Sequence, residues 1–361
     1  MMTDTVFISD MAIPPGEYLE EVLEDSGISQ AELARRMGRP PQAINEIVKG
    51  EKAITPETAL QLEQVLGVSA QFWSNLEVEF RLILAKQQQK KDINLEKSLV
   101  SKFPYLQLSK LNLVEQTRDN LKKVVELRKF FGVSSLKNIR TVKEFAPAFR
   151  QQEKSTTSQE SLAAWLRAGH IIADKREVNI FNKEKLEHSI PKLRELTNVT
   201  EPNELIKKIT GVLADCGVIL ALVPTFPKSY TTGATFWIGK NKAVIMMSLR
   251  GAWSDIFWFS LFHEIGHILL HDKRVTFLEN GKLDLQYQKQ ELEADNYSQK
   301  SLIPFEPYNE FLKNGDFSSL SINNFSEKIG IFPGIVTGRL QHDKKLPQTI
   351  HHHRIRYKWT L

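Results

Sequence analysis

Residues 258–271 read Trp258-Phe-Ser-Leu-Phe-His263-Glu264-Ile-Gly-His267-Ile-Leu-Leu-His271. Trp258, Phe259, Phe262, Ile265, Ile268 and Leu269 recur at helical spacing, which predicts a largely buried helix carrying a few polar groups. His263 and His267 stand four residues apart, so both imidazoles share one face and can hold a single ion. Glu264 lies one residue round from His263. It is placed to reach a water at the metal, the position of a general base. The competing explanation is a pair of packed core histidines that satisfy each other. Burying two imidazoles and a carboxylate without a binding partner is costly, which favours the metal. That conclusion requires a third ligand.

The candidates for it are His271, Glu291, Glu293 and Asp295. Asp272 to Tyr287 reads as mostly loop, and a helix is predicted from Gln290 to Ile303, stopped by Pro304. His271 lies about 12 Å along a straight helix from His263, too far to share the ion. It is assigned a structural or cleft-lining place. Glu291 and Asp295 are four apart on one face of the second helix, so Glu291 can ligate while Asp295 holds the free nitrogen of a ligating histidine. Glu293 points about 200° away. Two histidines, one carboxylate and an open fourth position form the donor set of a catalytic zinc site.

Composition sets the frame. A chain of 361 residues suggests two or three domains, and 41% apolar with 25% charged residues is ordinary for a soluble globular protein. Cys216 is the only cysteine, which excludes an internal disulfide framework and suits a reducing cytoplasm. No signal segment and no run long enough to span a membrane are read in the sequence, so a cytoplasmic location and no membrane partner are expected. The net charge of +5 is uneven. Residues 1–85 hold six Lys+Arg against fourteen Asp+Glu, whereas residues 86–361 carry a net of +13. Five of the six early cations nevertheless lie between 35 and 52, where the acids are Glu46 and Glu51 alone. Positive charge is therefore focused on one short stretch.

That stretch has a recognisable local order. Helices are predicted over Glu17–Asp25, Gln30–Met37, Gln42–Lys49 and Glu57–Leu66, with one or two more from Val68 to about Gln89. Ser29 is an N-cap, with Glu32 completing a capping box. Two short helices around a tight glycine turn, inside a five-helix bundle, form a helix-turn-helix. Gln42, Asn45, Glu46 and Lys49 face outward on the second. Gln42 and Asn45 suit adenine edges, and Arg39, Lys49 and Lys52 suit phosphates. A small protein-binding module with a merely solvated face is the alternative.

Farther along, Lys86 to Lys91 breaks the apolar pattern and reads as a linker. The middle third reads as a helical scaffold, in which Trp165, Arg167 and His170 are taken as core packing and a solvated arginine. Gly217–Val223, Ala234–Ile238 and Lys242–Ser248 read as strands, the last two joined by Gly239-Lys-Asn as a hairpin. Such a hairpin offers an edge to an extended peptide, or simply roofs the helix. Two helices are expected at Leu320–Lys328 and Pro333–Gln341, followed by a basic tail read as a solvated face, with a second phosphate-contacting patch as the alternative.

Two family resemblances sharpen this. Residues 10–85 resemble lambda-repressor-type (Xre) helix-turn-helix proteins, and among them HigA-type antitoxins. The stretches that carry it are Pro15-Gly-Glu-Tyr-Leu, Gly27-Ile-Ser-Gln-Ala-Glu-Leu-Ala, Ile44-Asn-Glu-Ile-Val-Lys-Gly, Ile54-Thr-Pro-Glu-Thr-Ala-Leu and Phe72-Trp-Ser-Asn-Leu-Glu. Pro40-Pro41 departs from the family by removing a side-chain donor at the start of the reading helix. Residues 165–310 resemble ImmA/IrrE metallopeptidases, through Trp258–His271, Glu291-Leu-Glu-Ala-Asp-Asn-Tyr-Ser and Leu302-Ile-Pro304. This second resemblance implies zinc on His263, His267 and Glu291, with Glu264 as base.

The expected fold class is mainly α with a small α+β region. A lambda-repressor-like bundle (1–88) is expected to precede a helical linker and scaffold (89–200), a gluzincin-like metallopeptidase domain (201–315) and a basic helical tail (316–361). The implied function is an antitoxin-like, autorepressing regulator that binds operator DNA, as a homodimer, and carries a zinc endopeptidase acting on a protein substrate. The alternative is a non-enzymatic regulator whose peptidase-like domain serves as a sensor or binds a cognate toxin.

Overall fold

The computed structural model describes residues 11–146, 148, 157–248, 253–271, 277–278 and 285–357. The chain divides into two compact units, residues 1–97 and 98–361.

The first unit is a helical bundle: α1 (Pro15–Ser26), α2 (Gln30–Met37), α3 (Pro41–Val48), α4 (Pro56–Leu66) and α5 (Ala70–Glu96). Ser29 Oγ accepts from Glu32 N at 3.2 Å, closing the start of α2 as the capping pattern requires. Leu19, Leu33, Ile44, Leu62 and Trp73 are fully or almost fully buried in its core. Glu77 Oε2 accepts from Ile54 N at 3.0 Å while Glu77 Oε1 accepts from Arg81 Nε at 2.6 Å, tying α5 to the segment before α4. The polar run Lys86–Lys91 is not a break. It lies inside the 27-residue α5, because Lys and Gln are good helix formers whether or not they pack.

The second unit opens with α6 (Tyr105–Lys110), α7 (Asn120–Phe131), α8 (Gln159–Asp174), α9 (Lys183–Glu195) and α10 (Pro202–Asp215). Strands β1 (Val218–Leu222), β2 (Gly233–Ile238) and β3 (Lys242–Met247) follow, then α11 (Ser254–Leu270). The two-residue β4 (Phe277–Leu278) precedes α12 (Leu285–Leu302), α13 (Phe305–Asn314), α14 (Ser319–Ile329) and α15 (Pro333–His342). The sheet order is β1-β3-β2-β4. β1 runs parallel to β3, β2 pairs antiparallel with β3 as the predicted hairpin, and β4 lies antiparallel on the outer edge of β2. The expected loop 272–287 thus contains a short strand, and α12 begins at Leu285, before the expected start at Gln290; residues 272–276 and 279–284 lie outside the described residues.

Helix α11 is the centre of this unit. Trp258, Leu261, Phe262 and Ile265 are fully buried, while Ile256 and Leu270, towards the two ends of the helix, are exposed. The segment expected as scaffold supplies Leu186, Leu193, Leu205 and Ile209 to the same core; the segment expected as tail supplies Ile335, Leu340 and Tyr357. Helix α13, not anticipated from the sequence, adds Tyr308 and Phe311. Trp165 donates to Val223 O at 3.3 Å, and His170 stacks on Phe236 at 3.9 Å between ring centres. Arg167 is not solvated: it donates to Phe130 O at 2.8 Å.

The basic tail is in part a packing element. Arg354 forms a two-pronged ion pair with Asp255 in the first turn of α11, both contacts at 2.9 Å, with the two side chains 8% and 11% exposed. Arg354 and Arg356 lie over the Trp253 ring at 4.6 and 4.5 Å. Arg339 pairs with Asp343 at 2.8 Å. Arg354 thus anchors the chain end on α11, whereas Lys344, Lys345 and Arg356 are exposed, as a solvated face requires.

Candidate metal centre and candidate nucleic-acid face

The packing of α11 against α12 brings His263, His267 and Glu291 together. One ligand atom from each lies within 4.8 Å of the others. The two Nε2 atoms are 2.9 Å apart, and Glu291 reaches His263 at 3.5 Å and His267 at 3.3 Å. Tetrahedral zinc ligands at ~2.0–2.1 Å from the ion are about 3.3 Å from one another, so the donor spacing fits such an ion. Both histidines are 2% exposed. Glu291 Oε1 is buried with no hydrogen-bond partner among the described residues, an acceptor that a cation would satisfy. The close approach of the helices depends on Gly266, where a Cβ would meet Ala294 and Tyr297 at 3.2 Å. Ser298, also on this interface, is fully buried and donates to Phe259 O at 2.8 Å, so its hydroxyl adds no unsatisfied group.

Electrostatics follow from the burial. Burial disfavours charge on His263, but Asp295, Glu291 and Glu264 outweigh it and push its pKa up to about 10. Burial wins at His267, which falls to about 4 despite Glu291. Glu291 also suffers from burial, yet its contacts with both histidines hold it down at about 2. The site without metal is thus a protonated His263 against a Glu291 carboxylate, and a cation would replace that proton.

Two hydrogen-bond relays stand behind the ligands. Asp295 Oδ1 lies 2.8 Å from His263 Nδ1, which leaves Nε2 as the ligand atom. On the other side, His267 Nδ1 lies 3.0 Å from His271 Nδ1, and His271 Nε2 lies 3.0 Å from Glu293 Oε2. The consistent proton assignment is His267 Nδ1–H donating to His271 Nδ1, and His271 Nε2–H donating to Glu293. His271 is placed there because α11 stops before it, and its backbone is extended at φ −117° and ψ 167°. The expectation that Glu293 stands apart is corrected on this point. It does not reach the ligand cluster, but it reaches the histidine behind it. The i+4 spacing of His271 from His267 was the available signal.

Glu264 is 1% exposed. Its Oε2 accepts from Thr235 Oγ1 at 2.5 Å, so β2 positions it from the side opposite α12. Gly233 makes room for it, because a Cβ there would fall 2.3 Å from Glu264 Oε1. Neither Thr235 nor Gly233 is evident from sequence, since both act from 29 or more residues away.

In the first unit, Gln42, Asn45 and Lys49 lie exposed along α3, and Lys52 is exposed just beyond it. Gln42 donates to Glu46 Oε1 at 2.9 Å and Lys52 approaches Glu46 at 3.7 Å, so Glu46 organises two of these side chains. Arg39 is half-buried and turned back onto α4, donating to Gln61 Oε1 at 2.6 Å. Pro41 is the first residue of α3, where a missing N–H costs nothing.

Residues 19–73 match the helix-turn-helix family. Virulence-associated protein I of Dichelobacter nodosus is 42% identical over 85 residues, spanning 23% of this chain and 78% of that protein. The chain belongs to the helix-turn-helix family. The transcriptional regulator YddM of Escherichia coli (strain K12), of HTH type, is 36% identical over 72 residues, 20% of this chain and 77% of that protein. The structure of the Pseudomonas aeruginosa antitoxin HigA with the higBA promoter is 37% identical and covers 24% of this chain and 95% of that one, at a TM-score of 0.23. These relatives account for the helix-turn-helix unit alone. Residues 224–327 match the IrrE N-terminal-like domain.

The IrrE-type match takes in β2, β3, α11, β4, α12 and α13, and so contains every residue of the candidate metal centre. The tail that anchors on Asp255 lies beyond it. Between them is a cavity of about 460 Å³ beside the centre. Asp295, Thr232 and Phe259 line it towards the ligands, and Ile256, Ile303 and Ile335 form its apolar wall. Among the described residues, no helix is long and apolar enough to cross a membrane.

Proposed function

We propose that this helix-turn-helix chain is an antitoxin-like, autorepressing DNA-binding regulator with a zinc-dependent endopeptidase in its second unit. The observation that carries the enzymatic half is the convergence of His263, His267 and Glu291 beside a buried carboxylate that is not itself a ligand. His263 and His267 would hold zinc through Nε2, and Glu291 through its carboxylate. Zinc bound there supplies Lewis-acid polarisation of a peptide carbonyl and acidification of water. Asp295 fixes the His263 ring, and the His271–Glu293 pair fixes His267. Glu264, aimed by Thr235, takes the proton of the attacking water and returns it to the departing amine nitrogen. Burial of Glu264 at 1% exposure keeps bulk water from competing for that carboxylate.

The regulatory half rests on the exposed face of α3. Asn45 and Gln42 are the base-reading side chains, and Lys49 and Lys52 are the phosphate contacts; Arg39 contributes mainly by orienting the turn against α4. The family match and the regulator among its relatives support operator binding. In this reading the chain represses as a homodimer in the cytoplasm, an arrangement that suits the paired half-sites such helices read.

The deciding experiment compares zinc content and cleavage of labelled casein for the wild type, Glu264→Gln and Glu291→Ala. Glu264→Gln is expected to keep zinc and lose cleavage, and Glu291→Ala to lose both. Zinc binding without cleavage by any form would favour a sensor or toxin-binding role for the same domain.

A further inference from the structure

A strand edge beside the proposed base is already taken by the chain itself. β2 has one edge on β3 along its whole length. Its other edge is paired, among the described residues, at two positions alone: Ala234 with Leu278 and Thr235 with Phe277. Thr235 is the residue whose hydroxyl holds Glu264, and Gly233, one step before the pairing, is the residue against which Glu264 lies. Adjacent strands run about 4.8 Å apart, so the backbone at Phe277 and Leu278 occupies the first strand position next to the proposed base. An open strand edge binds extended peptides through main-chain hydrogen bonds. The same edge leads back to Thr232, which lines the cavity beside Asp295.

We propose that β4 is a built-in competitor of the peptide substrate: residues 277–278 hold the outer edge of β2 in the resting chain, and a substrate strand binds by displacing them. This rests on the endopeptidase reading of the site. Among the described residues β4 pairs with this edge at two positions, and an edge strand bound through its backbone is exchangeable for another strand bound the same way. β4 also lies in the segment that joins α11, which carries both histidines, to α12, which carries Glu291. Release of β4 is thereby separable from the ligand cluster, whose side chains come from the helices.

The test uses the full chain with zinc. A fluorescent peptide of residues 273–282 is titrated onto Glu264→Gln, which cannot turn it over, and onto the same variant also carrying Phe277→Pro and Leu278→Pro. Proline removes the N–H groups that pair β4. Displacing a competitor that occupies the edge 90–99% of the time raises apparent affinity about 10- to 100-fold. That gain is the expected result, with equal zinc content showing an intact cluster. A paired-glycine variant, Phe277→Gly with Leu278→Gly, carries the same comparison if the proline chain does not fold. Equal or weaker peptide binding by the released variants overturns the proposal. With Glu264 intact, the released variants are expected to cleave labelled casein with a lower KM, and a raised KM counts against β4 as a competitor. If no form cleaves anything while peptide binding still tightens, the endopeptidase reading fails and the occupied edge stands.

Discussion

Thr235 Oγ1 donates to Glu264 Oε2 at 2.5 Å, both residues 1% exposed, so the sheet and not the helix sets the direction of this carboxylate. Thr235→Val removes a charge-assisted hydrogen bond inside the core. Such a loss costs about 1.5–3 kcal/mol, read as a lower midpoint in urea unfolding. Thr235→Ser is expected to restore most of it. Gly233→Ala is expected to impair cleavage with zinc retained, because the atoms the added methyl meets first are those of the Glu264 side chain. Loss of zinc in that variant would contradict the division of roles between sheet and helices.

The residues behind the ligands carry their own prediction. Asp295→Ala and His271→Ala each leave the three ligands in place but release one imidazole ring. Zinc affinity, measured by competition with a chromophoric chelator, is expected to fall about 10- to 100-fold in each. Glu293→Gln is expected to have a smaller effect than His271→Ala, since the amide still accepts the His271 proton. An unchanged affinity in His271→Ala would make that relay a packing feature only.

Protonation of the metal-free centre sets a pH dependence. His263 has its pKa raised from 6.5 to about 10 in the fold, so the stability from its charge is complete below 6.5 and is lost as pH rises through about 10. Glu291 is lowered to about 2 from 4.5; its share is present above 4.5 and lost as pH falls through about 2. The two describe one ion-paired cluster and are counted once. In chelator, Tm is expected to fall between pH 7 and 10. Zinc affinity is expected to rise over the same interval, as each ion displaces a proton. A flat Tm from pH 7 to 10 would mean that His263 is neutral without metal.

On the first unit, Lys49→Ala is expected to weaken binding to upstream DNA evenly across sequences and to reduce the salt slope by about one. Asn45→Ala is expected to cost about 1–3 kcal/mol at one base pair and relax preference there. Arg39→Ala is expected to lower the thermal stability of the unit as well, because Arg39 is tied to Gln61 at 2.6 Å. Gel-shift titrations over a range of salt, set beside melting curves, distinguish the three.

Local pattern explains why so much was legible. His263, Glu264 and His267 sit within five residues on a helix whose apolar spacing is unmistakable, and Glu291 with Asp295 repeats the logic on the next helix. The Ser29 cap and the glycines after α1 and α2 marked the helix-turn-helix in the same way. The sequence sets His271 aside as a ligand, and it stands outside the ligand cluster; what spacing along the chain does not show is its hydrogen bond to His267, because the helix ends before it. Arg354 looked solvated because its partners, Asp255 and Trp253, lie about 100 residues earlier.

By itself the sequence determined the helix that carries the histidines, the spacing that puts them on one face and the order of the DNA-reading helices, because each depends on residues within a turn or two. Tertiary structure decided what completes them. It set Thr235 and Gly233 against Glu264, Asp295 and His271 behind the ligands, Arg354 on Asp255, and Phe277 opposite Thr235. Those contacts join segments far apart in the chain, and only the packing of α11 between the sheet and α12 brings them within hydrogen-bond reach.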